Sequence, residues 1–212
     1  MNRRTHVTRA QLSDWLRANG LWSDQTNAAL DLAEEVHLAQ RRAGGGPYLE
    51  EHIYPVTRTV AGYLTSHTID QAAETILIAI LHDTVEDSDT IDLDVIRQRF
   101  GPSVASGVDV LTKPEKRPGS GGEETEGAEA RYVAGVAAAP WNIRLIKVFD
   151  RLNNLAAVHE RAPDRRRTYL EETRAYFLDL ASSVDPELQH RMTTLLQEQE
   201  ARFDTETGDA PG

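Results

Sequence analysis

Four ionisable residues directly follow the most hydrophobic segment of the chain. The apolar run ILIAIL at 76–81 leads into HDTVED, which sets His82 beside Asp83 and brings Glu86 and Asp87 four residues further on. An acidic cluster at the end of a buried helix is commonly only a solvated helix end. Imidazoles and carboxylates are also ligands for divalent cations, and neighbouring residues at a helix end can converge on one ion. That chemistry needs further ligands elsewhere in the chain.

Asp150 is the second candidate. It lies within NIRLIKVFDRLNNLAAV at 142–158, a segment with the apolar spacing of a helix. A buried carboxylate must be paired or must hold a cation. For this segment alone, a salt bridge from Asp150 to Lys147 or Arg151 and a bound cation explain the carboxylate equally well. The bound cation becomes the favoured explanation when HDTVED is considered as well.

Helical periodicity dominates the sequence, and no strand alternation is found, so we predict an all-α fold. Thr8 or Ser13 opens the first helix and Gly20 ends it, while the GGGP run ends the second. TIDQ at 68–71 predicts a reciprocal cap for the helix that delivers His82. The predicted helices cover about 8–20, 24–42, 55–67, 68–83, 92–100, 103–111, 142–158, 163–183 and 185–203.

Two segments are too polar to offset their own ordering entropy. We expect a mobile loop over 114–130, rich in Gly, Pro and Glu, and a frayed tail from 204 onward. The predicted organisation is an N-terminal helical extension over 1–23, a main domain over 24–185 that contains the mobile loop, and a C-terminal helix with its tail over 186–212.

Composition excludes several classes of protein. The 212 residues include no cysteine, so any metal must be held by His, Asp and Glu. A net charge of -11 opposes general nucleic-acid binding, and an anionic substrate would need local cations such as Arg41, Arg42 or Lys147. No stretch approaches the ~18 apolar residues of a membrane span, and the N-terminus lacks a signal peptide's apolar core. We therefore expect a soluble, cytoplasmic protein.

Three blocks of sequence together resemble a known family. They are HLAQRRAGGGPYLEEH at 37–52, LHDTVEDSDT at 81–90 and IKVFDRLNNL at 146–155. Their order and spacing resemble HD-domain phosphohydrolases of the RelA/SpoT type, specifically the small alarmone hydrolases related to the metazoan SpoT homologue. The resemblance covers roughly residues 24–185 and implies an HD-domain helical bundle of about eight to ten helices.

The resemblance also implies roles for individual residues. One divalent ion, Mn²⁺ in this family, would be held by His52, His82, Asp83 and Asp150, and this donor set also suits other divalent transition metals. Glu86 and Asp87 match the pair that activates or orients the attacking water. Positions matching substrate contacts are Arg42 and Asn154, and charge adds Arg41 and Lys147 to them. For Arg41 and for Arg42, an ordinary position at a helix end explains the residue as well as a substrate contact does.

The implied reaction is removal of the 3′-pyrophosphate from guanosine tetra- or pentaphosphate, an activity that can neutralise a toxic alarmone synthetase. Three departures from the family pattern are one extra residue before His52, Asn153 in place of histidine, and Leu-Ala-Ala at 155–157. Two alternatives stay open: an HD phosphohydrolase acting on an adenosine alarmone, NADPH or a deoxynucleotide, and a non-catalytic, antitoxin-like binding protein. The sequence leaves the oligomeric state open.

Overall fold

The computed structural model describes residues 6–67, 71–117 and 127–208, and these parts of the chain are helical with no β-strand. The all-α prediction is confirmed. The chain divides into two compact units, with the boundary between residues 128 and 129. No helix in the described ranges is both long enough and apolar enough to cross a bilayer.

The first unit contains the HDTVED motif and the helices around it. Its α-helices are α1 Arg9–Ala18, α2 Asp24–His37, α3 Tyr54–His67, α4 Ala72–Leu81, α5 Leu93–Phe100 and α6 Pro102–Leu111. A π-helical turn over Leu49–Ile53 leads directly into α3, and a 3₁₀ turn over Pro114–Lys116 follows α6. Helix α4 packs against α2, α3 and α6, and every residue from Thr75 to Leu81 is buried. The uniformly apolar sequence of α4 therefore makes it the centre of this unit.

Thr8, and not Ser13, caps α1. The Thr8 side chain accepts from the backbone N–H of Gln11, and the Gln11 side chain accepts from the N–H of Thr8. Ser13 is instead buried within the helix. The reciprocal cap predicted at TIDQ lies partly outside the described residues, because only Gln71 of that motif is described.

Helix α2 ends at His37, five residues before the predicted end at 42. The N–H of Gln40 bonds the His37 carbonyl in a tight turn, and the Gln40 carbonyl accepts from the N–H of Tyr48. The helix-forming sequence LAQRR therefore leaves the helix because tertiary contacts override its propensity. The residues from 38 to 48 form a loop, which we name the arginine loop because it carries Arg41 and Arg42.

The second unit is built around α8. Its α-helices are α7 Ala128–Ala137, α8 Trp141–Ala156, α9 Pro163–Glu172, α10 Leu178–Val184 and α11 Pro186–Thr207. A 3₁₀ turn at Val158–Glu160 follows α8, and a π-helical turn at Thr173–Phe177 joins α9 to α10. If α9, the π-helical turn and α10 are counted as one continuous helix, the described residues form ten α-helices. That number lies within the predicted range of eight to ten. Helix α8 packs against α10 and α11.

Arg151 is a structural residue of the second unit. It is buried, donates to the Thr173 hydroxyl and the Tyr169 carbonyl, and lies over the rings of Tyr169 and Phe177. Glu172 and Glu129 supply opposite charge within 3.4 and 3.8 Å. The guanidinium therefore ties α8 to the segment that joins α9 and α10.

Two segments differ from the sequence prediction. Helix α7 begins at Ala128, inside the predicted mobile loop, and continues through a stretch for which no helix was predicted. Helix α11 continues to Thr207, so residues 204–207 of the predicted frayed tail are helical. Both helices bury apolar side chains, although the surrounding sequence is mostly polar. These side chains are Tyr132 and Val133 in α7 and Phe203 in α11. The remainder of both predictions, over 118–126 and 209–212, lies outside the described residues.

Candidate functional site

His82 and Asp83 leave the C-terminal end of α4. The backbone stays helical at His82, and residues 82–87 continue as a series of turns. The His82 Nδ1–H donates to the Ala79 carbonyl at 2.9 Å, so the proton of the neutral ring lies on Nδ1 and Nε2 carries the lone pair. A backbone bond of this kind orients an imidazole and fixes its tautomer in metal sites. The end of α4 therefore presents an imidazole nitrogen whose orientation and tautomer suit metal binding.

His52 comes from the π-helical turn that precedes α3. The N–H of Tyr54 bonds the Leu49 carbonyl, five residues back, so this turn holds one residue more than an α-helical turn. Pro55 has no N–H, and the Glu50 carbonyl accepts instead from the N–H of Val7 at 2.9 Å. The extra residue before His52 is thus accommodated within the helix, and His52 is fully buried.

The side chains of His52, His82 and Asp83 meet in one place. Their ligand atoms form a triangle, with 3.2 Å between the two Nε2 atoms and 3.1 Å from each of them to Asp83 Oδ2. Bonds of about 2.1 Å to one ion would separate two ligands by about 3.0 Å in octahedral geometry and about 3.4 Å in tetrahedral geometry. Because lone pairs this close repel one another unless a cation or proton lies between them, the triangle fits a divalent metal ion.

Tyr48 holds the carboxylate of this triangle. Its hydroxyl donates to Asp83 Oδ2 at 2.5 Å, and its ring lies between those of His37 and His52, at centroid distances of 5.3 and 4.9 Å. Burial alone would raise the pKa of Asp83, but the neighbouring imidazoles of His82 and His52 hold that pKa well below its usual value. Asp83 is therefore ionised in the folded protein.

Replacing Tyr48 with phenylalanine is expected to weaken cation binding by about 10- to 100-fold, the usual effect of removing a partner that orients a ligand. The substitution keeps the ring between the two histidines and removes only the hydroxyl bond to Asp83. Calorimetric titration of metal-free protein with Mn²⁺ measures the effect, with the exposed Tyr176→Phe as the matched control. Equal affinity in Tyr48→Phe and wild type would show that the hydroxyl has no such role.

Glu86 and Asp87 each accept a hydrogen bond from a neighbouring segment. Glu86 accepts from the backbone N–H of Lys113 at 2.5 Å, and Asp87 accepts from the Gln40 amide at 2.9 Å. Burial and the neighbouring charge of Asp83 raise the pKa of Asp87. The N–H of Asp87 also bonds the Asp83 carbonyl at 3.1 Å, so the two carboxylates follow the triangle by one helical turn.

The arginine loop, whose Gln40 contacts Asp87, closes on itself. Arg42 forms a turn with Gly45 and Gly46 through backbone bonds, and Gly45 has the positive φ of 84° that this turn requires. A Cβ at residue 46 would overlap the Glu51 carboxylate, so any other residue there would displace the end of the Glu51 side chain. The Arg41 guanidinium donates to the carbonyls of Leu38 and Gln40. Arg41 therefore performs the helix-end role, and its substrate role stays a prediction.

His37 ends α2 and is fully buried. Burial lowers its pKa from the usual 6.5, so the folded protein keeps this ring neutral where the unfolded chain would protonate it. Stability from this residue is therefore complete above about pH 6.5 and is lost as the pH falls toward the lowered pKa.

Acidification is expected to destabilise the wild-type protein more than a His37→Asn variant, because asparagine cannot titrate. The difference should grow by at most about 1.4 kcal/mol per pH unit below pH 6.5. Urea unfolding of both metal-free proteins at pH 7.5 and pH 5.5 measures it, because titrating groups remote from His37 contribute equally in the two proteins. Parallel pH dependence in the two proteins would contradict the neutral, buried His37.

The remaining predicted site residues belong to the second unit. Asp150 is buried near the C-terminal end of α8, where it accepts from Lys147 Nζ at 2.9 Å and from the Asn154 amide at 2.6 Å. Lys147 also lies 5.0 Å from the centre of the Tyr132 ring. The salt bridge considered from the sequence is therefore present. The roles of Asp150 as a fourth ligand and of Lys147 and Asn154 as substrate contacts stay predictions.

Sequence reasoning gave no role to two residues that contact the site. Tyr48 and Gln40 both lie in the block at 37–52, in the PY and HLAQ portions, and were quoted only as parts of a pattern. Their position at fixed spacing before His52 was the available signal. The direction of their side chains was hidden because it depends on where α2 ends.

Comparison with known proteins agrees with this geometry. The family model described as HD domain matches residues 29–185. A protein of Brucella melitensis named GTP pyrophosphokinase rsh is 33% identical over 158 residues, covering 74% of this chain and 20% of the relative. A protein of Synechocystis named probable guanosine-3′,5′-bis(diphosphate) 3′-pyrophosphohydrolase is 32% identical over 180 residues, covering 82% of this chain and 23% of the relative.

This chain thus spans about a fifth of the length of such relatives. A solved structure of a metazoan SpoT ortholog that hydrolyses ppGpp superposes with a TM-score of 0.64 and 20% identity, covering 84% of this chain and 97% of the other. At that identity the superposition shows a shared fold. With the family match extending over most of the chain, the protein belongs to the HD domain family, and its relatives there are of the SpoT and Rsh type.

Proposed function

We propose that the protein is a metal-dependent hydrolase that removes the 3′-pyrophosphate from guanosine tetra- or pentaphosphate. The triangle of His52, His82 and Asp83, followed by two anchored carboxylates, supports this function most directly. The relatives named as guanosine-3′,5′-bis(diphosphate) 3′-pyrophosphohydrolases support the substrate, since they match this chain over its HD domain.

The first unit would hold a divalent cation through the two Nε2 atoms and the Asp83 carboxylate, and we propose Asp150 as the fourth ligand and Mn²⁺ as the ion. A bound divalent cation supplies Lewis acidity toward phosphate oxygens and lowers the pKa of water. Two imidazoles with carboxylates suit Mn²⁺, Fe²⁺, Co²⁺ and Zn²⁺.

In the proposed reaction, a water oxygen forms a bond to the phosphorus attached to the 3′ oxygen, and the bond from phosphorus to that oxygen breaks. The products are GDP or GTP and pyrophosphate. Glu86 or Asp87 accepts the proton of the attacking water, while the leaving 3′ oxygen takes a proton from solvent. General-base help of this kind accelerates a reaction by about 10²- to 10⁴-fold.

The substrate is strongly anionic, and the protein carries a net charge of -11, so local cations must offset the substrate's charge. We propose Arg42 of the arginine loop as one contact and Asn154 as a contact to the ribose. Arg41 and Lys147 would join them by exchanging their present partners for substrate oxygens.

A panel of purified nucleotides tests the function. Metal-free protein is reloaded with Mn²⁺, Co²⁺ or Zn²⁺ and incubated separately with ppGpp, pppGpp, an adenosine alarmone, NADPH and deoxynucleotides, and the products are separated by ion-exchange chromatography. We expect GDP or GTP with equimolar pyrophosphate, fastest with Mn²⁺. Consumption of another nucleotide while ppGpp stays intact would overturn the proposed substrate.

A further inference from the structure

A three-residue chain of contacts links the buried end of α2 to Asp87. His37 Nδ1 lies 2.6 Å from Gln40 Oε1, and Gln40 Nε2 lies 2.9 Å from Asp87 Oδ2. His37 Nδ1 is itself 3.7 Å from the same Asp87 oxygen. This chain joins a fully buried side chain to a carboxylate whose side chain is 27% exposed.

The chemistry of the three groups fixes the direction of each hydrogen bond. An ionised carboxylate only accepts, so the Gln40 amide must direct its NH₂ toward Asp87. The amide oxygen then faces His37, and His37 must carry its proton on Nδ1 in order to donate. Burial keeps the ring neutral, as this tautomer requires.

The same tautomer explains an unpartnered atom. Within the described part of the chain, His37 Nε2 is buried and has no hydrogen-bond partner. With the proton on Nδ1, this atom is an acceptor and not a buried donor. Orphaned buried acceptors are tolerated more often than orphaned buried N–H groups. The one N–H of the neutral His37 ring is therefore on Nδ1, where it donates to Gln40.

We infer that Gln40 is a positioning residue that holds the Asp87 carboxylate for the reaction, with His37 setting the direction of the Gln40 amide. The inference rests on the proposed function, in which Asp87 serves the attacking water. The Gln40 amide donates to Oδ2 of Asp87. This bond restricts rotation of the carboxylate and therefore determines the direction in which Oδ1 points. Positional restraint of this kind raises kcat more than it changes substrate binding.

The tautomer of His37 is the first test and needs no substrate. Metal-free protein labelled with ¹⁵N-histidine is studied by NMR, and the His37 signals are identified by their absence from His37→Asn. We expect only the Nδ1–H tautomer of His37 in the wild type, and a mixture of the Nδ1–H and Nε2–H tautomers in Gln40→Ala. The Nε2–H tautomer in the wild type would reverse the amide and overturn the inference.

Kinetics supply the second test, on whichever nucleotide the wild-type protein hydrolyses. Gln40→Ala is expected to lower kcat by about 10- to 100-fold with KM unchanged. In an Asp87→Asn background the same change should lower kcat by less than about twofold, because residues acting as a unit are non-additive. Equal losses in both backgrounds, or a rise in KM at constant kcat, would overturn the positioning role.

Two variants separate this role from a structural one. Gln40→Glu keeps the length of the side chain but sets a carboxylate against Asp87, so its loss of kcat should match or exceed that of Gln40→Ala. Retained activity in Gln40→Glu would refute the donor role. Gln25→Ala, at an exposed position of α2, is the matched control and should behave as wild type. If ppGpp is not the substrate, the tautomer result still stands by itself.

Discussion

Asp83→Asn is expected to abolish tight cation binding and to lower hydrolysis by about 10³-fold. Asparagine has nearly the same volume and can still accept from the Tyr48 hydroxyl, so the fold should be preserved. What is lost is the only negative charge among the three ligands that meet in the first unit. Lewis-acid stabilisation of a phosphoryl transition state is worth several kcal/mol, and each 1.36 kcal/mol is tenfold in rate.

Two measurements check this expectation together. Metal analysis after equilibration with Mn²⁺ should give one ion for the wild type and far less for Asp83→Asn, and the rate of nucleotide hydrolysis should fall in parallel. Asp89→Asn makes the same chemical change at an exposed position six residues on and should retain both properties. Full metal content and more than a tenth of wild-type activity in Asp83→Asn would show that the triangle is not the metal centre.

The α4 end of the site was predictable because its signal is local. Uniform hydrophobicity buries Ile76 to Leu81, and the position of the histidine and aspartate directly after that run places them at the end of a buried helix. The meeting of His52 with this pair was predictable only through the resemblance, since nothing in the spacing of residues 52 and 82 requires contact. The structure brings them to 3.2 Å.

The arginine loop shows what sequence reasoning could not supply. LAQRR at 38–42 has good helix formers, and the first glycine follows at 44, so a local reading continues α2 to Arg42. The helix instead ends at His37, and Gln40 beyond that end contacts Asp87, 47 residues away in sequence. A contact of that separation leaves no trace in local periodicity.

The π-helical turn is a second case of this kind. One additional residue before His52 would rotate a regular helix by ~100° and turn the imidazole away from its partners. A turn closed by an i to i+5 bond holds that residue without the rotation, and such turns are frequent at functional sites. The family pattern indicates the extra residue, but only the backbone shows how it is accommodated.

Glu86→Gln and Asp87→Asn are each expected to lower kcat by about 10²- to 10⁴-fold, the contribution of a general base or of a group that orients water. Both variants should bind Mn²⁺ with wild-type stoichiometry, because neither residue belongs to the triangle. This combination of a large loss of kcat with an intact cation site distinguishes the pair from Asp83. Asp89→Asn again supplies the matched control.

The anchoring contacts make the comparison of the two variants informative. Gln at 86 can still accept from the Lys113 N–H through its amide oxygen, and Asn at 87 can still accept from Gln40, so each variant keeps its position and loses only basicity. A loss of kcat in either variant therefore reports on proton transfer or water orientation and not on displacement of the side chain. Loss of bound Mn²⁺ from either variant would instead make that residue a ligand, and wild-type kcat in both would remove the pair from the reaction.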